Sequence, residues 1–80
     1  MAIIHLTGEL AERAGGLETI TVDAARVIDM RRTLGARFPG IDASLAELAV
    51  AIDGEIYNDA DYRPLSASSE VHFVPRIAGG

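Results

Sequence analysis

Apolar residues recur along this chain with two periods, and the period switches where turn residues cluster. From Ala2 to Leu6 the side chains alternate, Ile4 and Leu6 on one face and Ile3 and His5 on the other, which predicts a strand. Thr7 to Gly16 carries Leu10, Ala11 and Ala14 at helical spacing and ends in Gly15-Gly16, so one or two helical turns with a glycine stop are expected. Glu18 to Val22 is β-branched and alternating, a second strand. Asp23 then offers an N-cap, with Ala25 as an alternative start. Val27, Leu34 and Phe38 follow as the apolar stripe of the main helix, with Met30 and Arg31 at intervening three- and four-residue steps. Arg26, Asp29, Arg32 and Thr33 face away from the stripe, and Pro39-Gly40 ends the helix.

The second half is shorter in its signals. Ser44 to Leu48 fits a helical turn or a loop. Ala49 to Ile52 and Glu55 to Tyr57 flank Asp53-Gly54, whose tolerance of positive φ predicts a type I′ hairpin. Asn58 to Ser69 is polar, with Leu65 as its anchor, and Glu70 to Pro75 alternates Val71 and Phe73 against His72 and Val74. A helix between two strand pairs predicts an α+β roll, a mixed sheet with one main helix packed on one face. Residues 1–75 are read as the domain and 76–80 as a flexible tail ending in Gly-Gly.

Composition narrows the function. Eighty residues make one domain with a thin core, so a deep cavity and a self-contained catalytic site are not expected. The net charge of −5 disfavours the phosphate backbone and favours a partner with a basic patch. No cysteine is present, which removes disulfides, thiolate ligands and a cysteine nucleophile. The seven basic residues are all arginine, so an activated carboxyl on one copy finds no lysine on another. MAIIHLTGEL has no basic n-region or long apolar stretch and no run approaches a membrane span, so a cytoplasmic protein is expected.

The candidate chemistry lies at the end. Two glycines at two specified positions arise by chance about 0.5% of the time. Gly79-Gly80 fits a frayed tail, and equally a side-chain-free arm that carries its carboxylate into another protein's narrow channel. His5 and His72 come together if the first and last strands pair, but no third metal ligand is evident and no metal site is expected. Interface or solvent-facing histidines are the expectation instead. Asp59 and Asp61 read as solvated loop acids.

Leu48 to Gly80 resembles the C-terminal half of the MoaD/ThiS sulfur carriers. The shared features, in order, are Asp53-Gly54-Glu55, Leu65, the strand Glu70-Val71-His72-Phe73-Val74-Pro75, and Gly79-Gly80. The strand, GELAERAGG turn and helix ending in FPG fit upstream, so the resemblance covers essentially the whole chain. It implies a ubiquitin-like β-grasp fold with the first and last strands parallel at the centre. It also implies a cycle in which a ubiquitin-activating-like adenylyltransferase uses ATP to adenylate the Gly80 carboxylate. A sulfur donor then displaces AMP to leave a thiocarboxylate, and no cofactor stays bound. Ser68-Ser69 stands where molybdopterin synthase carriers often have Gly-Asp, and Val74 and Arg76 where they have an aromatic and a proline. Pro75 and the length lean toward that branch, in which the acceptor is the large subunit of molybdopterin synthase and this chain its cosubstrate subunit. Thiamine or cysteine biosynthesis, a modifier conjugated to lysines, and a non-catalytic binding module are the alternatives. The expected partner-binding residues are Ile3, His5, Thr7, His72 and Val74 on the sheet face away from the helix, followed by Pro75, Arg76, Ile77 and Ala78.

Overall fold

A computed structural model describes residues 1–76. The elements in order are β1 (Ala2–His5), α1 (Glu9–Arg13), β2 (Thr19–Val22), α2 (Val27–Arg37), α3 (Ile41–Leu45), β3 (Leu48–Ile52), β4 (Glu55–Tyr57) and β5 (Glu70–Pro75). The strands form one mixed sheet in the order β2-β1-β5-β3-β4. β1 and β5 run parallel at its centre, and β2, β3 and β4 pair antiparallel around them. This is the β-grasp arrangement that the resemblance implies.

Alternation sorts each strand into two faces. Ile4 and Leu6 from the β1 segment, Ile20 and Val22 from β2, Val50 from β3, and Val71 and Phe73 from β5 are buried. They meet Val27, Met30 and Leu34 of α2 and Ile41 and Leu45 of α3 in one core. Met30 and Leu34 are fully buried, whereas Phe38, one turn further on, is only partly covered where the helix ends. Asp53 and Gly54 both take positive φ, 49° and 89°, the pair of values the type I′ turn requires.

The main helix starts later than its sequence implies. Neither Asp23 nor Ala25 caps it; Arg26 holds the N-cap position and gives no side-chain cap bond. The orphan amides are met from far along the chain instead. Val27 N–H donates to the Arg63 carbonyl at 3.1 Å and Ile28 N–H to the Asp61 carbonyl at 2.9 Å. The polar loop is therefore the cap of α2. Leu65 and Ala60 bury into the core beneath it, and the Arg31 guanidinium holds Asp61 at 2.7 Å. Asp61 is thus paired rather than freely solvated.

The segment before β3 resolves as α3, three residues upstream of the stretch that read as helix or loop. Gly40 at φ 93° reverses the chain after α2, and Ile41 and Leu45, four apart, bury one side of the new turn.

Gly35 lies inside α2 without a positive φ, and a Cβ built there meets only the Asp42 side chain, its Cβ at 3.7 Å and its Cγ at 4.0 Å. Gly35→Ala is expected to raise stability by about 0.5–1 kcal/mol by lowering the helix's conformational cost. The check is a melting curve, where a rise of roughly 4 °C fits a domain this size. An unchanged or lower midpoint would show that α2 cannot take the methyl against α3.

Candidate functional site

The outer face of the sheet, opposite the helices, is the surface that leads to the tail. In the β1–β5 ladder His5 lies beside His72 and Ile3 beside Glu70. In the β3–β5 ladder Ala49 lies beside Val74 and Ala51 beside His72, and Ile56 of β4 stands next to Ala51. All of these point away from the core, since their strand neighbours fill it. The face has two halves. Over β3, β4 and the end of β5 it is apolar: Ala49 and Ala51 are too short to emerge between their neighbours, Val74 is half-buried, and Ile56 is 48% exposed. Over β1 and β5 it carries His5, Glu70 and His72, with Ile3 at its margin.

The two imidazoles stack, with ring centroids 4.2 Å apart and planes within 2°. Glu70 Oε1 sits 3.0 Å from His5 Nε2, so the carboxylate belongs to the same group. Sequence reading found two histidines and no third ligand; the register supplies one. The signal was there, since Glu70 and His72 are two apart on a strand and must share a face. A charged residue at a strand's start also reads as its boundary, which masks Glu70 as a ligand in the sequence. A concavity of about 380 Å³ opens beside the histidines, with Thr7 and Thr19 on its wall.

The root of the tail is tied to β3 and to the segment before it. β1 pairs with β5 only as far as His72, so Phe73 to Pro75 are paired on the β3 side alone, ending at Pro75 opposite Leu48. Arg76 then donates from Nη2 to the Ala46 carbonyl at 3.2 Å. A second concavity, about 260 Å³, lies at this root between Thr7, Leu48, Phe73 and Pro75, and has Glu9 and Glu47 in its lining. Its acidic border suits a basic partner.

Of the residues expected to bind a partner, Ile3, His5, His72 and Val74 share the outer face. Thr7, exposed just past β1, borders both concavities, and Pro75 and Arg76 form the tail root. Ile77, Ala78, Gly79 and Gly80 lie outside the described residues. Ile56 was not foreseen as part of this surface, because a three-residue strand gives too little alternation to assign a face. No helix among the described residues is long and apolar enough to cross a membrane.

The model of the ThiS family matches residues 4–80. Among solved structures, the chain is similar to one in the Amycolatopsis orientalis BexX/CysO complex. That match has 18% identity, a TM-score of 0.84 and all of both chains covered. It is similar also to small archaeal modifier protein 1 from Methanosarcina acetivorans, at 19% identity and TM-score 0.81, over 99% of this chain and 95% of that one. SAMP1 from Haloferax volcanii is 26% identical at TM-score 0.76, over 99% and 98% of the two chains. No curated protein matches the sequence.

Proposed function

The chain belongs to the ThiS family of sulfur carriers, and we propose that its reacting group is the carboxylate of Gly80. The observation that carries this reading is a family match that runs through the tail to Gly80 rather than stopping at the end of β5. The chemistry is a two-step activation. The Gly80 carboxylate attacks the α-phosphorus of ATP in the activating partner, forming the acyl adenylate and releasing pyrophosphate. Hydrosulfide, or a donor's sulfur, then attacks the acyl carbon and expels AMP, which leaves a thiocarboxylate. The adenylate is necessary because a free carboxylate is a poor electrophile. This chain supplies the acyl group and the docking surface, and the catalytic side chains belong to the partner. Residues 76–80 act as the arm and 1–75 as the body that presents it.

For the recipient of the sulfur, Pro75 after the last strand favours the molybdopterin branch, with the large subunit of molybdopterin synthase as acceptor. A second reading, a modifier joined to lysines through Gly80, is supported by the likeness to SAMP1 at 26% identity. One experiment separates them. The protein is incubated with activating enzyme, ATP and sulfide, and its intact mass is measured with and without candidate acceptors. The carrier gains the difference between sulfur and oxygen, and the modifier gains a covalent adduct to a target lysine. A mass unchanged by activating enzymes from several pathways would defeat both readings. Deleting Gly79-Gly80 is expected to abolish sulfur transfer while moving stability by less than about 0.5 kcal/mol. A clear fall in melting temperature would make the pair structural.

The outer face is the proposed docking surface for the activating enzyme. The Amycolatopsis orientalis protein of this fold was solved in complex with BexX, which supports a protein partner for this chain. Val74→Asp places a charge in the apolar half of the face and alters no helix-side contact. It is expected to weaken binding to the activating enzyme by about tenfold or more, with an unaltered circular dichroism spectrum. Equal affinity would move the docking surface elsewhere.

A further inference from the structure

Carboxylate activation makes no use of the imidazole–carboxylate group on the outer face, and that group has the composition of a metal site. We infer that His5, Glu70 and His72 bind a divalent transition ion of the zinc class, bridging the two central strands. The first ground is placement. The parallel ladder puts His5 directly beside His72, and Glu70 precedes His72 by two residues, so alternation sends all three side chains to one face. One ligand atom from each lies within 4.8 Å of the others.

The second ground is donor chemistry. Two imidazole nitrogens and one carboxylate oxygen make the three-ligand set of an open zinc site, whose remaining position takes water or another molecule's group. Magnesium and calcium prefer oxygen alone and gain nothing from the histidines. Zinc–ligand bonds of about 2.0–2.2 Å put ligand atoms about 3.3 Å apart around a tetrahedral ion. The observed spread of up to 4.8 Å therefore closes by side-chain movements of roughly 1–2 Å. Glu70 and His72 are exposed, so they make these movements without disturbing the core, with the stacked rings tilting apart about the ion.

The third ground is a rigid base. The Glu70 amide donates to Asp53 Oδ1 at 2.9 Å, and the Glu70 carbonyl accepts from the Asp53 amide at 3.0 Å. The hairpin turn thereby fixes the start of β5, while the Ile3 amide donates to the Ser69 carbonyl at 2.9 Å and fixes β1 against it. The ligands thus project from backbones that are already in register. Because this face is also the proposed docking surface, the ion's open position faces whatever docks there.

The test is zinc titration of the untagged protein by calorimetry, with cobalt(II) absorption as a second readout. These are the only two histidines and there is no cysteine, so the signal has no competing imidazole or thiolate. One zinc per chain is expected, magnesium giving no heat, with both imidazole resonances shifting together. Glu70→Gln retains shape and a hydrogen-bonding carbonyl for His5 but is a much poorer metal ligand. Since even an outer-shell partner is worth about 10–100-fold in affinity, Glu70→Gln and His72→Ala should each weaken zinc binding at least about tenfold. Both variants should keep the wild-type circular dichroism spectrum, as neither side chain reaches the core. Absence of one-to-one zinc binding, or full affinity in Glu70→Gln, would overturn the site. The assay involves no activating enzyme, so its result stands apart from the sulfur-carrier reading.

Discussion

Leu34→Ala is expected to cost about 3 kcal/mol, a large share of the stability this domain possesses. Leu34 is fully buried near the middle of α2 and belongs to the core that also holds Ile4, Val71 and Ile41. Truncation removes its contacts and leaves a cavity that a small core with few layers can only partly refill. An 80-residue domain has roughly 4–12 kcal/mol in total, so the variant stays folded at room temperature but melts some 12–24 °C lower. The outer face offers the contrast. His72→Ala, on the face of the sheet opposite the helices, leaves this core untouched and should move stability by no more than about 0.5 kcal/mol. Thermal melts of the two variants side by side make the measurement. A shift below about 5 °C for Leu34→Ala would mean that α2 is not the element that holds the sheet. A comparable loss in His72→Ala would mean that the outer face is structural, and both roles proposed for it would weaken together.

That contrast also marks what the sequence disclosed. Strand alternation was legible wherever four or more residues carried it, so the inward set Ile4, Leu6, Val71 and Phe73 and the outward set Ile3, His5, His72 and Val74 could be read directly. Asp53-Gly54 was legible because its backbone demand is local. What stayed hidden depends on distant partners. The start of α2 is set by carbonyls of Asp61 and Arg63, more than thirty residues on, so the local capping residue Asp23 was misleading. Glu70 shares the face of His72 by alternation alone, but the approach of both to His5 depends on the register of β1 against β5, since a one-residue slip would turn them to the other face. Ile56 was missed for want of length: three residues at the sheet's edge do not define a face. The chemistry proposed for the tail rests on resemblance, because Gly79-Gly80 carries no periodicity to read.

Gly80→Ala is expected to slow activation by at least tenfold while leaving the fold alone, which puts the proposed chemistry to its sharpest test. In the proposed chemistry the Gly80 carboxylate has to reach the α-phosphorus of ATP in line, through a passage formed by the partner. A displacement of about 1 Å at such a reacting centre can cost roughly 100-fold in rate. Alanine adds a methyl beside the reacting carboxylate and confines the backbone angles that glycine leaves open. A tenfold fall corresponds to about 1.4 kcal/mol of lost transition-state stabilisation, and the methyl has only to misplace the carboxylate slightly to produce it. Extending the chain by one residue beyond Gly80 should be worse, because it moves the carboxylate by about 3.5 Å. The measurement is the rate of pyrophosphate exchange catalysed by the activating enzyme with wild type, Gly80→Ala and the extended chain at the same ATP concentration. Binding to that enzyme is measured in parallel, and should be nearly unchanged, since the outer face and Arg76 are intact in all three. A loss of exchange with retained binding places the defect at the reacting group rather than at docking. Equal exchange rates in the three proteins would show that the Gly80 carboxylate is not the group that reacts with ATP.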